Sequence, residues 1–504
     1  MDITVDYFEE PQLQFGDYFE YEDAKTGLAE FGPFGKNVPG LHVSEIKLGF
    51  IGTRESISEA QSWIDRCSKK VESENVKVDR QRGTQEDFGL FDDDSDEREV
   101  VSRRIDKTQN RDFIGFNADS TFKSTFRMNP RWDREINQRE LDSVLSTESE
   151  EQRILELANL VEAELSSICQ TDPVPDVVIL SLTSEIEEAA YSTQVSGNFH
   201  LNLRRELKAR AMRQETPIPL QLIRPRTIHG GTDTQGPAKR AWNFCTALYY
   251  KAGGTPWRPL SLEEDTCYMG ISFYIAQELD DALTMRSSVS MAFDYLGQGL
   301  VLRGDKFQWN HKEHGQAAHM TTEATAKLIR ETLNEYVRMQ GNPPKRVVIH
   351  KTSRFWGSEH ENYNEVEGIS EGVDSVFPRC DIDLVTLKSG NIRLFREGDY
   401  PPLRGTYFTV NNAQHFLYTM GFIPHLETYP KPYVPKPWKI DQHIGGSSPK
   451  DLLEEVLTLT KMNVNNCSFA DGKPITIMFA EKIGEVMKHV GRNGVIQSKY
   501  RFYM

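Results

Sequence analysis

Little in this 504-residue chain suggests a membrane, an export route or an oxidising compartment. No apolar run approaches the roughly 18–20 residues that a membrane helix needs. The opening MDITVDYFEEP has no charged segment followed by an apolar one, so no secretory leader is expected. The six cysteines, at 67, 169, 245, 267, 380 and 467, are scattered without a CxxC pair. Reduced thiols and a cytoplasmic location follow. Basic residues are also short: 59 Lys and Arg against 75 Asp and Glu give a formal charge of −16. That excludes a uniformly basic nucleic-acid coat, though not a local basic channel on an acidic body. No GxGxxG follows an expected strand, which argues against a dinucleotide-binding protein. Internal repeats and low-complexity tracts are absent from the sequence.

What is present is the alternation of an α/β chain. Leu48–Gly52 reads as a buried strand ending at a glycine, and Ser56–Cys67 as a helix. The stretch from about 70 to 150 is highly charged, has little apolar periodicity and carries an acidic run at Asp92, Asp93, Asp94, Asp96, Glu97 and Glu99. It reads as a solvated insertion. Ile154, Leu157, Val161 and Leu165 make one helical stripe. Asp176–Leu182 is nearly all apolar, as in a parallel strand buried on both faces. Farther on, strands are expected at Cys267–Ile275, Ser288–Tyr295, Gly299–Arg303 and Arg346–His350, with helices at Thr322–Met339, after Ser448-Pro449, and at Phe479–Val490.

One set of polar residues could hold a phosphate. Arg204 and Lys208 share a helix face at a spacing of four. Gln221 follows a proline break, and Lys251 directly precedes Ala-Gly-Gly-Thr-Pro-Trp. Cations, an amide and a glycine-lined backbone suit charge-assisted bonding to an anion. A basic, solvated helix face would show the same composition.

The segments IPLQLIRPRTI (218–228), WNFCTALYYKAGGTPW (242–257) and LTLTKMNVNN (457–466) resemble the MID and PIWI domains of Argonaute proteins. EEPQLQFG, GLAEFGPFG and the closing KYRFYM are similar to the short prokaryotic Argonautes, which keep MID and PIWI alone. The resemblance is dense from about residue 200 onward. It implies an α/β fold, with a Rossmann-like MID domain over 1–255, interrupted by the insertion at about 70–150, and an RNase H-like PIWI domain over 256–504. It implies a guide 5′-phosphate pocket formed by Lys208, Gln221 and Lys251. Arg204 stands where the family often has Tyr or His. The Met504 carboxylate is implied to lie beside that pocket, with Mg²⁺ bridging it to the guide phosphate. Arg205, Arg224 and Arg404, within PPLRGTYF, are implied to line the nucleic-acid channel.

At the nuclease centre the chain departs from the active pattern. Two divalent ions about 3.5–4 Å apart need clustered carboxylates. The family's first aspartate is here Ser272, in Gly270-Ile271-Ser272, and its second is Thr352, in His350-Lys351-Thr352. A carboxylate remains at Glu481 alone of the three positions. Hydroxyls stay protonated near neutral pH and replace bridging carboxylates poorly, so no slicing is expected. The resemblance instead implies a 5′-phosphorylated guide RNA, a complementary single-stranded DNA target and no membrane. It also implies an APAZ-domain partner carrying a TIR, sirtuin-like or nuclease effector against plasmids and phage, with target-triggered oligomerisation in part of the family. The alternative is a guide-directed Mn²⁺- or Mg²⁺-dependent nuclease using the unassigned acids Asp280, Asp281, Glu359, Glu361 and Glu365. His311, His314 and His319 read as a polar loop before they read as a zinc site. Gly445–Pro449 reads first as a helix cap and second as a phosphate cradle.

Overall fold

The computed structural model describes residues 2–73, 111–196, 199–231, 234–278, 283–398, 401–426, 429, 434–491 and 494–504. The acidic run at 92–99, Asp280 and Asp281 lie outside them. The chain opens with a strand, β1 (Ile3–Tyr7), and a first helix, α1 (Ala24–Phe31). Glycine and proline punctuate the sequence around α1 as they would a turn, yet Ala24–Phe31 is helical. A methyl on Gly27 would sit 2.1 Å from the Phe15 ring, so this glycine lets the helix close on an aromatic rather than ending it.

The smaller of two principal sheets is parallel throughout. Its strands are β2 (Glu45–Gly52), β3 (Thr125–Glu135), β4 (Val177–Ser181) and β5 (Leu220–Ile223), in the order β3-β2-β4-β5. β4 is buried at every residue, as its apolar run predicts. Helix α2 (Arg54–Cys67) follows β2, and α3 (Glu150–Cys169) starts where the Ser149 side chain accepts the Gln152 N–H. Ile154, Leu157, Val161 and Leu165 face a core shared with Val178, Leu180 and Leu220. The charged stretch does not run to 150: residues 125–135 form an edge strand of this sheet. Its charges and Pro130 concealed it. Pairing skips from Leu48–Met128 to Phe50–Asp133, so the proline falls in an irregular span of an edge strand, where a missing N–H is tolerated. Helices α4 (Leu203–Ala211) and α5 (Pro237–Lys251) flank β5 in sequence.

The larger sheet has nine strands. In addition to β1 they are β6 (Thr266–Glu278), β7 (Leu283–Phe293), β8 (Gly299–Asn310), β9 (Arg346–Lys351), β10 (Asp381–Ser389), β11 (Thr406–Val410), β12 (Gln414–Leu417) and β13 (Trp438–Ile444). Their order is β1-β11-β12-β13-β10-β9-β6-β7-β8. β6, β9 and β10 run parallel, and the remaining pairings are antiparallel. Helices α6 (Thr322–Gln340) and α7 (Glu365–Asp374) bury Leu328, Ile329, Leu333 and Ile369 against Cys267, Met269 and Ile349. α8 (Pro449–Leu459) carries the expected Ser448 cap, and its Leu452, Leu453, Val456, Leu457 and Leu459 are all buried. α9 (Ile475–Val490) crosses β6 at Gly270, where a methyl would lie 1.9 Å from the Thr476 carbonyl oxygen. Only a residue without Cβ permits that approach.

A single apolar cluster joins the two sheets. It runs from Val177 and Ile179 through Tyr249 and Tyr250 to Tyr268, Val348 and Val385, and it takes in Tyr500, Phe502, Tyr503 and Met504. The last described segment reaches this place along the larger sheet, where the Val301 N–H donates to the Ser498 carbonyl at 2.7 Å.

Candidate nucleic-acid interface

Three elements of the smaller sheet and the segment 498–504 converge on a group of buried cations. Asn202 caps α4 by accepting the Arg205 N–H, which fixes the helix start and turns Lys208 inward, 2% exposed. The Lys208 ammonium donates to the Tyr503 carbonyl oxygen at 2.9 Å. Lys251, at the end of α5, is 1% exposed. Its Nζ donates to Gln221 Oε1 at 2.7 Å and to the Leu220 carbonyl at 2.8 Å. The Gln221 amide in turn donates to the Leu222 carbonyl at 2.9 Å. Met504 is 2% exposed in the same cluster. Thus Lys251 is bonded to Gln221, Lys208 is bonded to the residue before Met504, and the half-buried Arg204, one turn before Lys208 on α4, is near enough to Lys251 to act on its charge.

Both hydrogen-bond partners of Lys251 are neutral oxygens. Burial first, and then the positive charge of Arg204, hold its ammonium well below the ordinary lysine range. Among the described residues neither Lys251 nor Arg204 makes an ion pair. A buried cation without a carboxylate is costly unless an anion arrives. The turn after Lys251 provides close backbone approach: Gly253 has φ +109°, and a methyl on Gly254 would lie 2.3 Å from the Tyr249 ring.

Sequence reasoning missed Arg501. Its Nη1 lies 3.4 Å from where a Cβ on Gly253 would be, its Nε is buried without a hydrogen-bond partner, and burial lowers its pKa. The signal was there as the Arg in KYRFYM, but its approach to a turn some 250 residues earlier is set by tertiary packing.

Much of the nearby basic supply is spent on the protein itself. Arg205 pairs with Glu485 of α9 at 3.3 Å. Arg210 engages Glu206 and Glu162, both at 2.8 Å. Arg224 is 2.8 Å from Glu187 and lies over the Tyr191 ring, and Arg226 meets the same Glu187. Arg240 bonds to the Arg226 and Thr227 carbonyls. Arg404 is 1% exposed, with its guanidinium on Glu10 at 2.9 Å and on Thr460 Oγ1 at 2.9 Å. That is an interior ion pair, so the Arg404 guanidinium is engaged inside the fold and does not face a surface channel.

At the other sequence-marked place, Ser272 Oγ donates to the Ala480 carbonyl at 2.6 Å. Thr352 is exposed just past β9, and the exposed Glu481 pairs with Lys473 at 3.0 Å. Glu365 is 1% exposed and belongs to a closed group. Its Oε2 accepts from Lys351 at 2.6 Å and lies 2.8 Å from His319 Nδ1. Burial pushes the Glu365 carboxyl up, but Lys351 and His319 outweigh it and hold it below the usual range. His319 stacks on Trp356 at 3.8 Å between ring centroids, and Trp356 stacks on His360 at the same spacing. Hence His319 has an interior role distinct from His311 and His314. Among the described residues, no group of three or more His, Cys, Asp or Glu could hold a metal ion.

The side chains of the cation pocket do not fit Mg²⁺ by themselves. Lys208, Lys251 and Arg204 are positive, and Gln221 Oε1 already accepts from Lys251. A hard cation takes six or more oxygen ligands, more than these side chains offer.

No family model and no curated protein matches the chain. Solved structures do. Clostridium butyricum Argonaute bound to a guide DNA and a 19-mer target DNA aligns over 98% of this chain and 55% of its own, at 15% identity and TM-score 0.59. A. aeolicus Argonaute aligns over 97% and 53%, at 13% identity and TM-score 0.54. Drosophila Piwi aligns over 99% and 56%, at 11% identity and TM-score 0.57. The chain therefore spans about half the length of these structures. Among the described residues no helix is long and apolar enough to cross a membrane. With a parallel four-stranded sheet, a mixed nine-stranded sheet and these neighbours, the chain has the α/β fold of the MID and PIWI domains of Argonaute proteins.

Proposed function

We propose that this chain is a non-slicing, guide-binding Argonaute-type protein that holds the 5′-phosphate of a guide RNA and pairs it with complementary single-stranded DNA. The observation that carries the reading is Lys251, buried between the neutral oxygens of Gln221 and Leu220 with Arg204 as a second positive charge beside it, on the same part of the fold as Lys208 and Arg501. A phosphate dianion supplies the opposite charge with several charge-assisted bonds. Base pairing of the guide reads sequence, while the protein reads backbone and the guide's first nucleotide. The output is assigned to an APAZ-domain partner with a TIR, sirtuin-like or nuclease effector in defence against plasmids and phage. That part rests on the sequence resemblance.

The test is a titration of guide-length RNA bearing either 5′-phosphate or 5′-hydroxyl, at fixed salt. The phosphate form should bind at least about tenfold tighter, which is about 1.4 kcal/mol. Equal affinity would sink the pocket assignment and leave the likeness as one of fold alone.

A second measurement addresses cleavage. Guide-loaded protein is incubated with labelled complementary DNA in Mn²⁺. No product is expected, because two metal ions need clustered carboxylates. Ser272 and Thr352 offer hydroxyls, and Glu365 is tied to Lys351. A discrete product that disappears in Glu359→Ala or Glu361→Ala would establish the nuclease reading instead.

A further inference from the structure

We propose that β1 is a docking edge for a second polypeptide, which adds an extended strand with apolar residues on one face and lysine or arginine on the other. This goes beyond guide binding and does not depend on it.

β1 ends the nine-stranded sheet and pairs with β11 on one side; among the described residues no other strand pairs with it. The register tells which backbone groups are open. Asn411 N–H donates to the Asp2 carbonyl at 2.7 Å, and Phe8 N–H donates to the Gly405 carbonyl at 2.9 Å. In an antiparallel ladder the hydrogen-bonding residues alternate. Residues 2, 4, 6 and 8 therefore bond to β11, and Ile3, Val5 and Tyr7 turn their N–H and C=O groups to the open side. Natural sheets cover or blunt such an edge.

The side chains add a second observation. Ile3, Val5 and Tyr7 project from one face and are 39%, 57% and 41% exposed. Their cross-strand partners Val410, Phe408 and Thr406 are buried. Phe408 and Val410 form a small core with Phe416 and Tyr418, covered in part by Ile392 and Leu394. Phe395, next in the chain, is 68% exposed. An apolar core thus continues outward into three exposed apolar side chains along an open edge. Strand addition uses both features, the backbone for affinity and alternate side chains for specificity.

Charge selects the occupant. Asp2, Asp6 and Glu9 are exposed along this edge. The Asp6 carboxylate accepts the Tyr7 N–H at 2.8 Å and also pairs with Lys450. It therefore blunts one of the open donors. A second copy of the chain, paired antiparallel through Val5, would set the two Asp6 residues on one diagonal, where like charges repel. A basic residue opposite Asp6 would instead draw its carboxylate away and free the Tyr7 N–H. The geometry favours a basic strand from another protein over self-pairing.

The probe is an acetylated nonapeptide of alternating valine and lysine, with a valine–glutamate peptide as control. Hydrogen–deuterium exchange is read on the segment 2–8, and affinity by fluorescence anisotropy. The lysine peptide should slow exchange of this segment at least tenfold, and the glutamate peptide should not. Val5→Pro removes an outward N–H without touching a β11 bond and should abolish the effect. Val5→Lys, which keeps the backbone donor, should weaken it, and Asp6→Asn should erase the preference for lysine. No slowing by the lysine peptide, or equal slowing in Val5→Pro and Val5→Lys, overturns the proposal. So does a concentration-dependent dimer of the wild-type chain that Val5→Pro dissolves, since that would give the edge to a second copy.

Discussion

Glu10→Gln is expected to destabilise the fold by about 3–5 kcal/mol, as removal of one partner from a buried ion group does. Among the described residues Glu10 is the carboxylate that makes ion pairs with both of two interior cations, Arg404 and Lys461. Its oxygens accept from Arg404 at 2.9 Å and from Lys461 at 2.7 Å. Arg404 is 1% and Lys461 3% exposed. A neutral amide leaves both cations without their ion-pair partner, and the more distant Asp23 and the Phe469 ring, whose centroid is 3.9 Å from Lys461 Nζ, offset little of that. The pH dependence has a definite sign. Burial raises the Glu10 carboxyl, but Arg404 and Lys461 more than reverse this and leave it below the usual range. A lowered acid contributes stability above its unfolded pKa and loses it as pH falls through the folded value. The wild-type advantage should therefore be full at pH 7 and shrink in acid below the ordinary glutamate range. Urea unfolding at pH 7 and in that acid range measures it. Adding Lys461→Met to Glu10→Gln should recover part of the loss, since one unpaired cation is removed. A loss under about 1 kcal/mol at pH 7, the level of an exposed pair, would contradict the buried-network account.

The same group marks where the sequence could be read and where it could not. Periodicity located β2, β4, α3, α6 and α8 because each buries one stripe or one continuous run. Those are local properties. Arg404 sits in a Pro–Gly-punctuated segment that reads as a turn, and its role depends on an acid 394 residues earlier. No spacing rule reaches that far. β1 shows the same limit. Its alternation of Ile3, Val5 and Tyr7 is a strand pattern, but its membership of the larger sheet is decided by pairing with residues 406–410. β3 was missed because an edge strand tolerates charge and proline. The site behaved differently. Lys208, Gln221 and Lys251 were legible because each stands at an element terminus or inside a short segment of recognisable order. Arg501 was not, because a lone arginine near an aromatic carries no spacing signal. The basic residues between 205 and 240 invited a channel reading from composition, whereas Glu485, Glu162 and Glu187 engage several of them inside the fold.

Lys251→Met should remove most of the preference for a 5′-phosphate, a loss of about 2 kcal/mol or roughly thirtyfold, the scale of one charge-assisted bond. It should also remove a pH dependence. In the empty protein, burial and then Arg204 hold the Lys251 ammonium well below the ordinary lysine range. A bound phosphate restores the charge, because an opposite charge nearby raises a lysine pKa. Between the empty and loaded values, loading takes up a proton, and so the preference for 5′-phosphate falls as pH rises through that window. The phosphate's own second ionisation, near pH 6, is complete above neutrality. The ratio of 5′-phosphate to 5′-hydroxyl affinity between pH 7 and 9 therefore isolates the lysine. A flat ratio in the wild type, or the same slope in Lys251→Met, would remove Lys251 from the pocket. Stability supplies an independent check of opposite sign. A lysine whose folded pKa is depressed costs stability where it is charged, and the cost fades as pH rises toward the unfolded value. The guide-free Lys251→Met chain should thus unfold at a higher temperature than wild type at neutral pH, while binding guides less selectively. A residue that weakens the empty fold and strengthens the loaded one is held for its ligand and not for its packing.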